Sequence, residues 1–185
     1  MPIQHERGYV IPAINSDTDY KRCAEQLAAS IRRWHPEAHI TIVTEDQLPH
    51  GNLGGYANDW QMFSISPYRQ TIKLEADMIA ASPIDHWWTL FEHRDVVVSQ
   101  GCRTIYDQSS DYRAYRKIFE YNDLPDVYNA ITYWRLSQTA KEFFDTVRSI
   151  FENWAEFKKL LKFPEDQPST DVVYAMAAKI LGVEN

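Results

Sequence analysis

Gly8-Tyr-Val-Ile-Pro-Ala-Ile14 is a short unbroken apolar run closed by Asn15, Ser16 and Asp17, the pattern of a buried strand that ends in a capping turn. From Tyr20 the period changes. Tyr20, Cys23, Leu27, Ile31 and Trp34 recur every three or four residues while Lys21, Arg22, Glu25 and Arg32 take the other faces, so an amphipathic helix is expected. His35-Pro36 ends it, because proline disfavours helical backbone in the residue before it. His39-Ile-Thr-Ile-Val-Thr44 is a second, β-branched strand. Strand, helix and strand within the first 45 residues make one βαβ unit, and two strands joined by a crossover helix run parallel.

The same alternation continues outward. A glycine-rich loop, His50-Gly-Asn-Leu-Gly-Gly55, leads to a short helix near Asn58 to Ile65 that Pro67 closes. Thr71-Ile-Lys-Leu-Glu75 reads as a third strand running into Ala76-Asp77-Met78-Ile79-Ala80. Pro83 and Asp85 open a tryptophan-rich helix through Phe91, and Asp95-Val-Val-Val-Ser99 and Tyr128 to Trp134 are further strands. Thr139 to Phe157 reads as one helix with Phe143, Val147, Ile150, Phe151 and Trp154 on a face, and Ser169 or Thr170 caps a last helix to Leu181. Strands alternating with helices predict an α/β fold with a mainly parallel, helix-covered sheet. Length and a 44% hydrophobic composition fit one domain over residues 1–185. Gln100 to Tyr112 and Lys162 to Pro168 are the stretches expected to be flexible.

Charge and cysteine content exclude some classes of function. A net charge of −7 supplies no general attraction for a polyanion, so nucleic-acid binding would need a local basic patch. The two cysteines, Cys23 and Cys102, match no metal or redox spacing and read as packing residues in a reducing compartment. No apolar stretch approaches the roughly 20 residues that span a bilayer, and residues 9–14 are too short for a signal-peptide core. A cytoplasmic protein is expected.

The chemistry concentrates in Ser66-Pro-Tyr-Arg-Gln-Thr-Ile-Lys-Leu-Glu-Ala-Asp-Met-Ile-Ala80. Glu75 and Asp77 stand two apart at a strand end, where extended backbone would point both carboxylates to one side. Open α/β sheets bind ligands beyond the carboxyl ends of their strands. Two carboxylates there suit a hard divalent ion, which can neutralise a diphosphate. The same pair would serve equally as a solvated strand end, and Asp17/Asp19, the other such pair, as a helix cap. The Gly51 to Gly55 loop lacks the lysine and hydroxyl of a P-loop and reads as a turn. His86-Trp87-Trp88 offers a sugar-stacking shelf or simply core. Tyr106, Tyr112, Tyr115 and Tyr121, interleaved with Arg103, Arg113, Arg116 and Lys117, form a basic aromatic segment fit for an acceptor or for solvent.

The stretch around Glu75 resembles the signature of GT-A glycosyltransferases, written pYd..iylDaD, with Pro67-Tyr68, Ile72, Leu74, Glu75 and Asp77 in matching places. Tyr9 to Asn15 before a long helix resembles the family's first strand and nucleotide-contacting loop. Pro125-Asp-Val-Tyr-Asn-Ala-Ile-Thr-Tyr-Trp-Arg-Leu-Ser137 resembles its yfNaGvml.r.s strand, and Gln167-Pro-Ser-Thr-Asp171 its late aspartate. The ordered set covers most of the chain and is similar to glycosyltransferase family 8 and to small phage-type transferases.

The resemblance implies a single-domain, Rossmann-like GT-A fold. It further implies a hexosyl- or pentosyltransferase moving sugar from a nucleotide-sugar, a UDP-sugar above all, to an acceptor hydroxyl. Glu75 and Asp77 would hold Mn²⁺ or Mg²⁺, and Asn15, Ser16 and Lys73 would join them in binding the donor. Asn129 and Asp171, with Asp166 as the competing candidate, would act on sugar or acceptor. A glycan or a hydroxymethylated base in viral DNA are the acceptors such enzymes suggest, with host cytoplasm the location if the protein is viral. Three features depart from the family pattern: Glu75 replaces Asp, Ile131 stands where glycine usually follows the Asn, and no His follows His93. A third metal ligand would therefore come from water, substrate or Asp171. The alternatives are a nucleotidyltransferase, for which the glycine-rich basic loop after the first strand is missing, and a non-catalytic sugar-nucleotide or partner-binding module.

Overall fold

In a computed structural model of the chain, residues 2–14, 19–101, 117–163 and 166–182 are described. Among them five strands form one sheet in the order β2-β1-β3-β5-β4, with β1 (His5–Pro12), β2 (Ile40–Val43), β3 (Tyr68–Leu74), β4 (Val96–Gln100) and β5 (Val127–Arg135). β1 pairs parallel with both β2 and β3, as the βαβ reading requires, and β5 runs antiparallel to β3. Helices flank the sheet, so the architecture is mixed α/β. The chain divides into two compact units, residues 1–97 with 130–141 and residues 98–129 with 142–185.

In the first unit the alternation along β1 and β3 sets the packing. Tyr9 and Ile11 lie opposite Tyr20-to-Trp34 helix residues Leu27 and Ile31 in one core with Ile72, Leu74 and Tyr133. That helix, α1 (Tyr20–Trp34), begins where Asp19 Oδ1 accepts the Arg22 N–H at 3.2 Å and ends with Arg32 and Arg33 complementing its dipole. Slipping β1 by one residue would turn this apolar set to the opposite face, so burial fixes the register. Gly8 is dictated by contact: a Cβ there would lie 2.4 Å from the Tyr68 ring.

Helix α2 (Gln61–Ile65) is shorter than the sequence suggests, because Gly55–Asn58 forms a 3₁₀ turn first. The glycine loop before it is tied by Asn52, Asn58 and Gln61. Asn58 Oδ1 accepts the Leu53 N–H, Asn52 Oδ1 that of Gly54, and Gln61 Oε1 that of His50. The loop is a turn held by its own side chains. In α3 (His86–Phe91), Trp88 packs in the core and donates to the Tyr9 hydroxyl at 3.2 Å, so the tryptophan shelf is mainly core.

The expected helix of residues 139–157 is two helices, α5 (Gln138–Glu152) and α6 (Trp154–Leu161), following α4 (Lys117–Tyr121) in the chain. Asn153 breaks it: its backbone leaves helical geometry (φ −112°, ψ 25°) while its Nδ2 donates to the Ser149 carbonyl at 2.8 Å. α7 (Thr170–Leu181) is capped by Ser169 and closed by Gly182 in left-handed geometry. Phe143, Phe144 and Tyr174 pack edge to face between α5 and α7. No described helix is long and apolar enough to cross a membrane.

Candidate active site

β3 carries the acidic pair to its place. Ile72 and Leu74 are buried at the sheet centre, and beyond Leu74 one more ladder bond forms, from the Glu75 N–H to the Ala130 carbonyl at 3.2 Å. The chain then turns, with the Met78 N–H donating to the Glu75 carbonyl at 3.3 Å. The strand therefore ends before the pair, and the same-side argument from extended backbone does not apply. A turn orients the carboxylates instead. Its middle residue, Ala76, is buried in the core, while Glu75 is half-buried and Asp77 exposed.

The first turn of α1 faces this acidic turn. The Tyr20 hydroxyl is held above its ordinary pKa, first by burial and then by the negative charge of Asp77, with Tyr56 and Glu75 adding to it. Both carboxylates therefore act on one phenol. Tyr20 and Tyr56 escaped the functional reading because Tyr20 also fits the apolar face of α1 and Tyr56 sits in a glycine loop. Next to Asp77 a cavity of about 340 Å³ is lined by Asp19, Arg22, Cys23, Gln26 and Met78, among others. Cys23 is a free thiol, as expected of a packing residue.

The donor set of this turn is two carboxylates, one half-buried and one exposed, next to open space. Mg²⁺ characteristically takes one or two protein carboxylates and completes its octahedron with water and phosphate oxygens. The residues fit such an ion. They do not form a closed protein cage: among the described residues no three His, Cys, Asp or Glu side chains gather as a metal site.

The remaining sequence candidates are placed as follows. Lys73 is almost fully buried, and its Nζ lies 2.7 Å from Asp59 Oδ1, so its charge is directed at that carboxylate. Asn129 is fully buried on β5, and its backbone N–H donates to Asp171 Oδ1 at 2.8 Å. Structure thus joins two residues that the sequence named separately, at the first turn of α7. Asp166 is fully exposed and pairs with Lys158 at 2.6 Å, which holds its carboxyl below the usual range. Asn15, Ser16 and Asp17 lie outside the described residues, as do Cys102 and the basic aromatic segment up to Arg116 and the middle of the Lys162 to Pro168 stretch. Of that segment, Lys117 and Tyr121 lie on α4, with Tyr121 exposed.

The chain combines a βαβ opening, a third strand parallel to the first that ends in an acidic turn, and an antiparallel fifth strand beside it, and its fold is that of the GT-A glycosyltransferases. Solved structures agree. The galactosyltransferase LgtC, in complex with donor and acceptor sugar analogs, is similar with a TM-score of 0.58 and 12% identity, over 91% of this chain and 70% of that one. Mouse xyloside xylosyltransferase 1, in its apo form, is similar with a TM-score of 0.55 and 8% identity, over 98% of this chain and 84% of that one. The apo glycosyltransferase GlyE of Streptococcus pneumoniae TIGR4 gives 0.53 and 12%, over 96% of this chain but 44% of its own length. At such identities the likeness is one of fold. No family model and no curated protein matches the sequence.

Proposed function

We propose that this chain is a glycosyltransferase that takes a sugar from a nucleotide-sugar and passes it to an acceptor hydroxyl, the whole chain serving as one donor-binding domain. The observation that carries the reading is the acidic turn of Glu75 and Asp77 at the end of β3, facing Tyr20, in a chain with the GT-A fold. In the reading, Glu75 and Asp77 bind Mn²⁺ or Mg²⁺ together with the donor diphosphate. A bound ion supplies neutralisation of the diphosphate as it leaves the anomeric carbon. Tyr20, on which both carboxylates act, adds an aromatic ring that suits a base or a sugar ring.

A UDP-sugar is the donor supported by the sequence resemblance, with Asn15 and Ser16 contacting the nucleotide. Asp171, seated against Asn129, is assigned to the sugar or acceptor, and Asp166 is the weaker candidate because its carboxylate is fully exposed. Lys73 is assigned to the donor side through its effect on β3 and Asp59 rather than by direct contact, since its ammonium is buried. Hexosyl or pentosyl transfer, and a glycan or a hydroxymethylated DNA base as acceptor, are the finer forms of the proposal. The net charge of −7 favours the glycan.

Thermal stabilisation by UDP with and without Mn²⁺ tests the reading. Wild type is expected to be stabilised only when both are present. Asp77→Asn should remove that stabilisation with the unliganded melting temperature unchanged, whereas Glu75→Asp should keep it. An Asp77→Asn protein stabilised like wild type would refute the assignment.

A further inference from the structure

The loop that follows the acidic turn is fastened to α1 in an unusual way. Ala80 lies outside any strand, yet both of its main-chain groups are taken by side chains of one helix. Its N–H donates to Ser30 Oγ at 2.9 Å, and its carbonyl accepts the Trp34 indole N–H at 3.0 Å. Residues four apart stand on one helix face, so Ser30 and Trp34 grip the peptide from the same side. The Ser30 hydroxyl donates to the Leu27 carbonyl at 2.7 Å, which orients it to accept from Ala80. Four residues further on, the Ile84 N–H donates to His35 Nε2 at 3.0 Å.

Trp34 makes this more than loop packing. It is 39% exposed at the end of α1, with Arg33 over its ring. Its indole N–H does have a specific partner, the Ala80 carbonyl. The acidic turn is thereby held from both sides, by the Glu75 ladder bond to Ala130 before it and by the Ala80 clamp after it. Between those anchors lie Asp77, Met78 and Ile79, with Ile79 and Asp77 exposed.

We infer that Ser30 and Trp34 are positioning residues for the metal and diphosphate site: they fix the Ala80 peptide and so set where Glu75 and Asp77 present their carboxylates. The inference rests on the donor-site reading above. Neither residue touches donor or metal. Each acts through the Ala80 main chain.

The test compares wild type with Ser30→Ala, Trp34→Phe, Ser30→Thr and the Ser30→Ala/Trp34→Phe double variant. Two quantities are read: UDP affinity in the presence of Mn²⁺, by calorimetry, and amide hydrogen exchange at residues 77–80. Ser30→Ala and Trp34→Phe should each weaken Mn²⁺-dependent UDP binding about five- to tenfold, the scale of one net hydrogen bond, and speed exchange at Ala80. Ser30→Thr keeps the hydroxyl and should restore both. The double variant should lose less than the product of the single losses, because both bonds hold one peptide. Faster exchange at Ala80 with unchanged UDP affinity would overturn the inference, since the clamp would then serve the loop alone. Equal weakening by Ser30→Thr and Ser30→Ala would overturn it too. A wild type that binds no UDP with Mn²⁺ defeats the donor reading instead; positioning of the turn is then decided by exchange at Asp77, which the clamp predicts to be faster in the variants and whose constancy would end the inference.

Discussion

Asp171 is the residue whose reading the structure changes most. Its place in the first turn of α7 fitted dipole complementarity, but its carboxylate in fact accepts the buried Asn129 N–H. Asp171→Ala removes that acceptor and should cost about 1–3 kcal/mol in urea unfolding. Asp171→Asn keeps an oxygen that can accept and should cost little. If Asp171 also orients sugar or acceptor, Asp171→Asn should lower turnover about a hundredfold with donor affinity kept. Turnover near wild type in that variant would reduce Asp171 to a tie between α7 and β5. Tyr9 gives a second prediction. Burial, with a small contribution from Asp85, pushes its hydroxyl up to about 12 against the Trp88 hydrogen bond. The unfolded chain ionises nearer pH 10, so the folded state loses stability as pH rises from there towards 12. Chemical denaturation across that window should show a steeper alkaline loss in wild type than in Tyr9→Phe.

Among the elements, β3 leads into the candidate site. Lys73 and Asp59 form a nearly buried pair, with side chains 2% and 11% exposed. Lys73→Met removes the buried ammonium that pairs with the Asp59 carboxylate and should destabilise by about 3–5 kcal/mol, while Lys73→Met with Asp59→Leu should recover much of it. Equal loss in the single and double variants would show that the pair is not what matters there. Gly8→Ala drives a methyl into the Tyr68 ring across the β1–β3 pairing and should cost about 1–3 kcal/mol. The βαβ opening was legible in sequence because Tyr9, Ile11, Leu27 and Ile31 follow the periods that burial imposes; the order of the strands and the antiparallel β5 were not. The end of β3 was not. Glu75 and Ala76 suit a strand by pattern, and only the Met78-to-Glu75 bond makes the turn. The break at Asn153 was hidden for a similar reason, since the apolar period runs through it while one side-chain bond to Ser149 ends the helix.

For the whole molecule, the motif order carried the fold, since the resemblance to GT-A transferases lies in ordered segments and the solved structures share that fold at 12% identity or less. Site chemistry was only partly legible. Glu75 and Asp77 stand out by type, but the nearness of Tyr20 to them and the Ala80 clamp arise between residues far apart in sequence. The central claim, Mn²⁺- or Mg²⁺-dependent use of a nucleotide-sugar, is tested most directly by mass spectrometry of the purified protein incubated with a panel of nucleotide-sugars. The account predicts release of the nucleoside diphosphate from one of them, dependent on the divalent ion and absent in Asp77→Asn. Binding without release would indicate a sugar-nucleotide binding module, and pyrophosphate release from a nucleoside triphosphate would indicate a nucleotidyltransferase; either result would contradict it.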